Sequence, residues 1–509
     1  MRFLKNIRLI ISIVFFLPIL LFFIDFTGKL PLELHLLLKL QWIPALLSLN
    51  MLIIVSLLLF SIFFGRLYCS TICPLGVFQD IVSWKSRFFK KKKKKLRFDY
   101  SAPQSLLRYS ILGITLITFV AGSSILVIFL DPYSIFGRIV SQLFQPIAIF
   151  INNIIHSLLN SSTNTSLNIV DQLSFVPVAF TITISFFILV VTMSWFRGRL
   201  FCNTICPVGT SLGLLSKLSL FHITINESSC TRCGACEKSC KSQCIDSEKK
   251  TIDDTRCVSC FNCLNVCKKG SMSYEFRYKK TKKSNAAVEI KNSRRTFLLT
   301  SGAIISSLAI AKANTIVNKK DSILTRKPIM PPGASNIDHF NAHCTACQLC
   351  VTKCPMQIIK PAALEYGISG IMQPHLNFDI NYCTYECNIC STVCPTSALK
   401  ALSIEAKKIT QIGIAKLRLD MCEVIVNESD CGACAANCPT QAIQMIPYIN
   451  GLLKPEVTEN LCIGCGGCES VCPVGPYKAI YVEGTSAHKF ANKVPRIKVA
   501  DKKIDDFGF

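Results

Sequence analysis

Twenty-nine cysteines lie along the 509 residues, and their spacing carries more information than their number. Six groups of four repeat one tight pattern. Cys230, Cys233, Cys236 and Cys240 are followed by Cys257, Cys260, Cys263 and Cys267. Further on stand Cys344, Cys347, Cys350, Cys354; Cys383, Cys387, Cys390, Cys394; Cys422, Cys431, Cys434, Cys438; and Cys462, Cys465, Cys468, Cys472. A 4Fe-4S cluster needs four thiolates converging on one small object. A loop with cysteines three apart delivers three of them, and the fourth often reaches a neighbouring cluster. Structural zinc sites tend instead to use separated C-x2-C pairs. The repeated triplets therefore point to iron-sulfur chemistry, with six 4Fe-4S clusters in all. In the first two groups the expected exchange assigns Cys240 to the second cluster and Cys267 to the first. Cys244 is left over, as a spare thiol or a replacement for Cys240. In the last four groups the closing cysteine precedes proline, the second group opening as C-x3-C and the third as C-x8-C. A row of four clusters with irregular middle members reads as a wire between two partners.

Two more half-sites are written in duplicate. GRLYCSTICPLG at 65–76 supplies Cys69 and Cys73, and GRLFCNTICPVG at 198–209 supplies Cys202 and Cys206. Two thiolates are too few for a cluster or a closed zinc site, but the four together could form one site. Its occupant is open between a further cluster, a metal and a pair of redox disulfides; the bland reading is that these cysteines only pack helix ends. There is no C-x-x-C-H for covalent haem, no Walker A loop and no GxGxxG after a strand. His343, beside Cys344, reads as a loop residue rather than a ligand.

The elements that must position these cysteines begin with apolar helices. Half of the residues are hydrophobic, and about 8–24, 43–64, 107–130 and 175–196 are each long and apolar enough to cross a bilayer, which takes roughly 20 residues. None of the four contains histidine, which argues against a paired-histidine membrane haem. Lys and Arg mark the cytoplasmic side. The 25–42 and 131–174 connections hold few, whereas 65–106 includes the run Lys90 to Lys95 and 197–295 holds 19. Both CxxxCP copies are thus expected on the cytoplasmic face and 131–174 outside. Residues 1–311 carry 36 Lys and Arg against 14 Asp and Glu, while 312–509 carry 20 against 17. The basic excess sits with the apolar helices, so its expected partner is anionic lipid of the inner leaflet and not nucleic acid. SRRTFLLTSGAIISSLAIAKAN contains Arg294 and Arg295 before an apolar stretch at 297–311 and resembles a twin-arginine export signal placed mid-chain.

The expected architecture is an α-helical membrane bundle of four spanning helices arranged as a parallel repeat, joined to two α+β ferredoxin-like iron-sulfur domains. The 297–311 segment would be a fifth, anchoring helix if it is retained. The expected domains are 1–221 in the membrane, a cytoplasmic two-cluster domain at 222–276, a basic linker and export segment at 277–315, and a periplasmic four-cluster domain at 316–509.

The motif order resembles a fusion of two accessory protein families of periplasmic nitrate reductase systems. GRLYCSTICP, GRLFCNTICP, CTRCGACEKSC and CVSCFNCLNVC are similar to the NapH type of membrane ferredoxin. SRRTFL, CTACQLCVTKCP, CTYECNICSTVCP, CEVIVNESDCGACAANCP and CIGCGGCESVCP are similar to the NapG type of exported four-cluster ferredoxin. The resemblance implies a quinol dehydrogenase component in the cytoplasmic membrane of a bacterium. Electrons from membrane quinol would pass to a periplasmic molybdenum reductase or cytochrome. Two other classes compete: an assembly factor whose CxxxCP cysteines reduce copper or a partner disulfide, and a scaffold that holds a reductase at the membrane.

Overall fold

The computed structural model describes residues 2–28, 30–88, 98–159, 170, 175–278 and 326–492. The Lys90 to Lys95 run and the twin-arginine segment lie outside the described residues, as does most of the 277–315 linker.

Among the described residues, three helices are long and apolar enough to cross a membrane: Phe3–Ile24, Pro132–Leu158 and Pro177–Arg197. Two of the four expected spans are interrupted. The 43–64 segment divides into Trp42–Leu47 and Met51–Phe64, where the Asn50 side chain accepts from Ile53 N and caps the second helix. The 107–130 segment divides into Ser105–Val120 and Ile125–Leu130 around Gly122, whose φ of 85° suits glycine. At 1.5 Å per residue, Met51–Phe64 and Ser105–Val120 reach about 21 and 24 Å, short of a roughly 30 Å hydrocarbon core. The 131–174 connection, expected as a loop, is instead helical over 132–159. Asp131 caps that helix by accepting from Tyr133 N and Ser134 N, and Pro132 takes the first turn, where its missing N–H costs nothing.

The duplicated motifs adopt one local design twice. A helix ends at Phe64 or Arg197, a glycine at φ 67° or 65° turns the chain, and a short helix carries the first cysteine. A proline then opens Pro74–Phe88 or Pro207–Ser216.

The smaller cysteine-rich domain is framed by Phe221–Ile225 paired antiparallel with Met272–Phe276, with the two-residue strands Ile245–Asp246 and Thr251–Ile252 beside them. The larger one holds three antiparallel pairs: Ile359–Pro361 with Pro374–Leu376, Thr410–Leu417 with Ile480–Phe490, and Ile443–Pro447 with Leu453–Val457.

These two domains pack at opposite ends of the same helices. Leu4 lies against the 222–276 core, whereas Asp25, just past the other end of that helix, pairs with Lys353 at 2.6 Å. Helix Pro177–Arg197 repeats the arrangement: Ala179 packs with Ala346 and Met372, while Arg199 N, just past its other end, donates to Lys241 O at 2.9 Å.

Candidate iron-sulfur centres

Four loops with regular C-x2-C-x2-C spacing share one backbone conformation. The second and fourth residues after the opening cysteine have positive φ in every case: Arg232 and Gly234, Ser259 and Phe261, Ala346 and Gln348, Gly464 and Gly466. Such alternation turns successive N–H groups inward and forms an anion-binding concavity, which suits the charge of a thiolate cluster. Backbone N–H groups also donate directly to sulfur, from Leu399 to Cys394 at 3.5 Å, Ala415 to Cys462 at 3.4 Å and Ala442 to Cys438 at 3.2 Å.

The fourth cysteines cross between loops. A cavity of about 340 Å³ is lined by Cys230, Cys233 and Cys236 together with Cys267. Cys257, Cys260 and Cys263 surround a second space with Cys240 and also Cys244. Cys244 is thus beside the site rather than remote from it, its sulfur 3.5 Å from that of Cys240. In the larger domain, burial pushes the Cys350 thiol up, and the neighbouring thiols Cys347, Cys344 and Cys394 add to it. Cys390 is raised by burial and then by Cys383, Cys354 and Cys387. Cys468 is raised by burial and by Cys465, Cys462 and Cys438. Each of these triplets therefore has the closing cysteine of a different group as its neighbour. The remaining four, Cys422, Cys431 and Cys434 with the closing Cys472, share one core.

The groups are not arranged in chain order. Cys383 N donates to Cys465 O at 2.8 Å, which joins the second group directly to the fourth. Cys434, of the third group, acts on Cys468 of the fourth. The spatial order is first, second, fourth, third, so the irregular C-x8-C group ends the row instead of standing in its middle. The first group lies nearest the helices, where Cys347 packs in the core that holds Tyr133, Phe136, Cys69 and Cys73.

The two CxxxCP half-sites also come together. Cys69, Cys73, Cys202 and Cys206 are 4%, 3%, 3% and 2% exposed. Burial pushes Cys206 well up, and Cys202, Cys73 and Cys69 all add to the shift. Gln79 Nε2 donates to Cys202 Sγ at 3.3 Å and Gly209 N to Cys206 Sγ at 3.3 Å. The two halves are laced by an exchange of arginines. Arg66 Nη2 reaches Cys202 O at 3.0 Å, and Arg199 Nη1 reaches Cys69 O at 2.6 Å. Arg199 Nε also donates to Asp80 at 2.7 Å, and Lys241 and Arg8 converge on the same carboxylate. Burial alone would raise the Asp80 carboxyl, but Arg199, Lys241 and Arg8 hold it far below the usual range. Lys241 ties this site to the smaller domain, and Arg66 does so again by donating to Thr255 O at 2.8 Å.

Arg66, Arg199, Gln79 and Asp80 were not among the expected site residues. The arginines stand inside the duplicated string itself, and that repetition was the available signal. His343, expected in a loop, closes helix Ile337–His343 and stacks on His339 at 4.2 Å. Among the described residues no three His, Cys, Asp or Glu side chains converge tightly enough for a single metal ion. Four thiolates on one ion at about 2.3 Å stand about 3.8 Å apart. A cubane cluster takes four thiolates, and three cysteines of one loop with a fourth from the neighbouring group supply that donor set.

Three family models match: a 4Fe-4S binding domain at residues 47–95 and again at 179–226, and 4Fe-4S dicluster domains at 343–399 and 429–476. Each copy of the first contains one CxxxCP motif. The ferredoxin-type protein NapF of Escherichia coli K12 is 32% identical over 155 residues, which are 30% of this chain and 85% of NapF. The chain belongs to the ferredoxin-type 4Fe-4S proteins. The ferredoxin-type protein MauM of Methylophilus methylotrophus, named for methylamine utilization, is 29% identical over 209 residues, 37% of this chain and 87% of MauM. An uncharacterized protein of Methanocaldococcus jannaschii is 36% identical over 95 residues, 19% of this chain, which spans only 38% of that relative. No solved structure matches this ferredoxin-type chain.

Proposed function

We propose that the chain is a membrane-bound electron carrier that draws electrons from a membrane quinol and delivers them to an oxidoreductase on the opposite side from its smaller ferredoxin domain. The observation that supports this most is the placement of two cysteine-rich domains at opposite ends of the same helices, with four buried thiols between them. A 4Fe-4S cluster, when bound, supplies reversible one-electron carriage. The chain's own residues supply the rest. Core packing excludes water, inward N–H groups favour thiolates, and the Arg66, Arg199 and Lys241 charges offset negative charge where it accumulates.

By the Lys and Arg distribution, the 222–276 domain is cytoplasmic and the 326–492 domain periplasmic, as in a NapH-type protein fused to a NapG-type one. A quinol dehydrogenase component of this kind would hand electrons to a periplasmic molybdenum reductase or cytochrome. The rival assembly-factor reading requires CxxxCP thiols that a copper donor or partner disulfide can reach. Burial of all four to 4% exposure or less weighs against it.

Iron and sulfide analysis with redox-titrated EPR tests the reading. About 24 iron atoms per chain and magnetically interacting signals are expected for six clusters. A zinc-filled or cluster-free 326–492 domain would remove the wire.

A further inference from the structure

Helix Pro132–Leu158 leaves regular α geometry once, at the π-helical turn Val140–Phe144. Single π turns recur at functional positions because they re-aim the side chains around them. This one presents Ser141, Gln142 and Gln145 to the larger ferredoxin domain. Ser141 Oγ and Gln142 Nε2 donate to Gln348 Oε1 at 2.7 and 2.8 Å, and Gln145 Nε2 donates to Thr352 O at 3.3 Å. Gln145 is 1% exposed, yet its Oε1 has no partner. A buried acceptor left in that state is destabilising, and a donating ligand would relieve it.

Gln145 borders two cavities that share Ile149 and Lys360 as well. One, of about 390 Å³, runs between the helix and the ferredoxin domain past Ile147, Phe150 and Phe175. The other, of about 330 Å³, extends to Cys354. Ile147 and Phe150 are each 55% exposed and Phe175 is 67% exposed, so the mouth of the first cavity is an apolar surface on a membrane-type helix. A volume of this size takes a small ring system, and apolar walls with a few polar groups, here Ser141, Gln142, Gln145, Gln357 and Lys360, are the usual composition of such a site.

The geometry points to a binding site for the ring of a lipid-soluble quinol, whose hydroxyl donates to Gln145 Oε1 while its tail leaves over Ile147, Phe150 and Phe175. Water-soluble donors are disfavoured by the apolar mouth, and a saturated acyl chain has no donor for Gln145. The inference rests on the quinol reading above and adds a location. The donor binds at the larger ferredoxin domain, beside a cysteine of its row, rather than among the CxxxCP cysteines.

The test uses full-length protein in nanodiscs and the fluorescent quinol analogue 2-heptyl-4-hydroxyquinoline N-oxide, with cluster absorbance reporting the fold. Saturable quenching is expected for the wild type. Gln145→Leu, which removes the acceptor, should weaken binding at least tenfold. Ile147→Trp, which narrows the mouth from its exposed side, should weaken it with the core untouched. Unchanged affinity in both variants, with quinol still reducing their clusters, overturns the location and leaves the quinol reading standing. A wild type that neither binds the analogue nor is reduced by quinol removes both. Quenching competed away by phospholipid alone also overturns the assignment, since it marks a lipid site.

Discussion

At the scale of single residues, Cys240 and Cys244 pose the sharpest choice. The Cys244 S–H hydrogen-bonds to Cys240 and brings its thiol down to about 7, with burial opposing and backbone N–H groups assisting. Cys244 is itself driven well up by its hydrogen bonds to Cys240 and Cys257 and by burial. This favours Cys240 as the thiolate ligand, with Cys244 as the donor beside it. Cys240→Ser should lose one cluster from the smaller domain by iron analysis. Cys244→Ala should keep it and lower its potential by about 40 mV, the equivalent of one hydrogen bond of about 1 kcal/mol for a one-electron couple. A cluster lost in Cys244→Ala and kept in Cys240→Ser would reverse the assignment.

The CxxxCP site offers a second residue-scale test. A Cβ on Gly76 would stand 2.2 Å from Cys69 O and 2.8 Å from Arg199 Nη1, and one on Gly209 would stand 2.2 Å from Cys202 O and 2.8 Å from Arg66 Nη2. Gly76→Ala and Gly209→Ala should each disturb the arginine exchange and destabilise the membrane domain by about 1–3 kcal/mol, measured by thermal unfolding in detergent. Wild-type stability in both variants would contradict the closeness of the two halves.

At the scale of elements, what could be read from sequence was what is encoded locally. Cysteines three apart fix a loop whatever surrounds them, so the six groups stand out in the spacing, and the nearness of Cys267 to the first loop follows the same local pattern. Helix Pro132–Leu158 was not, because Gln142, Gln145, Asn152 and Asn153 give it the look of a polar connection. Its polar side chains find partners in Gln348 and Thr352, about two hundred positions away in the chain. The first, second, fourth, third order of the cysteine groups is likewise a property of strand pairing between Thr410–Leu417 and Ile480–Phe490, which no local pattern announces.

The same strand pair holds His488, a half-buried residue whose two ring nitrogens are shielded from solvent and without partners. Burial lowers its pKa to about 4. The unfolded chain, near 6.5, binds the proton first, so this contribution is present above pH 6.5 and is lost as pH falls toward 4. Between pH 7 and 5 the loss is about 2 kcal/mol. Thermal melts should show a weaker acid destabilisation for His488→Gln than for the wild type, and equal slopes would contradict the buried neutral ring.

At the scale of the whole molecule, the helices separate two ferredoxin domains and the cysteine sites form a continuous series. Cys260 of the smaller domain, the CxxxCP thiols Cys69, Cys73 and Cys206, and Cys347 of the larger domain belong to, or pack against, one core. Charge is arranged along the same line: Asp80 gathers Arg8, Arg199 and Lys241 between the CxxxCP site and the smaller domain. Removing one partner of such a buried network costs about 3–5 kcal/mol. Asp80→Asn should therefore loosen the docking of the 222–276 domain, seen as faster hydrogen exchange at Lys241 and its neighbours.

Quinol-driven reduction in liposomes tests the central claim most directly. Adding a menaquinol analogue to the oxidised, cluster-loaded protein should bleach the iron-sulfur absorbance and produce EPR signals that include the 326–492 clusters. Clusters that remain oxidised with quinol but are reduced by dithionite would show that the chain does not take electrons from the membrane pool.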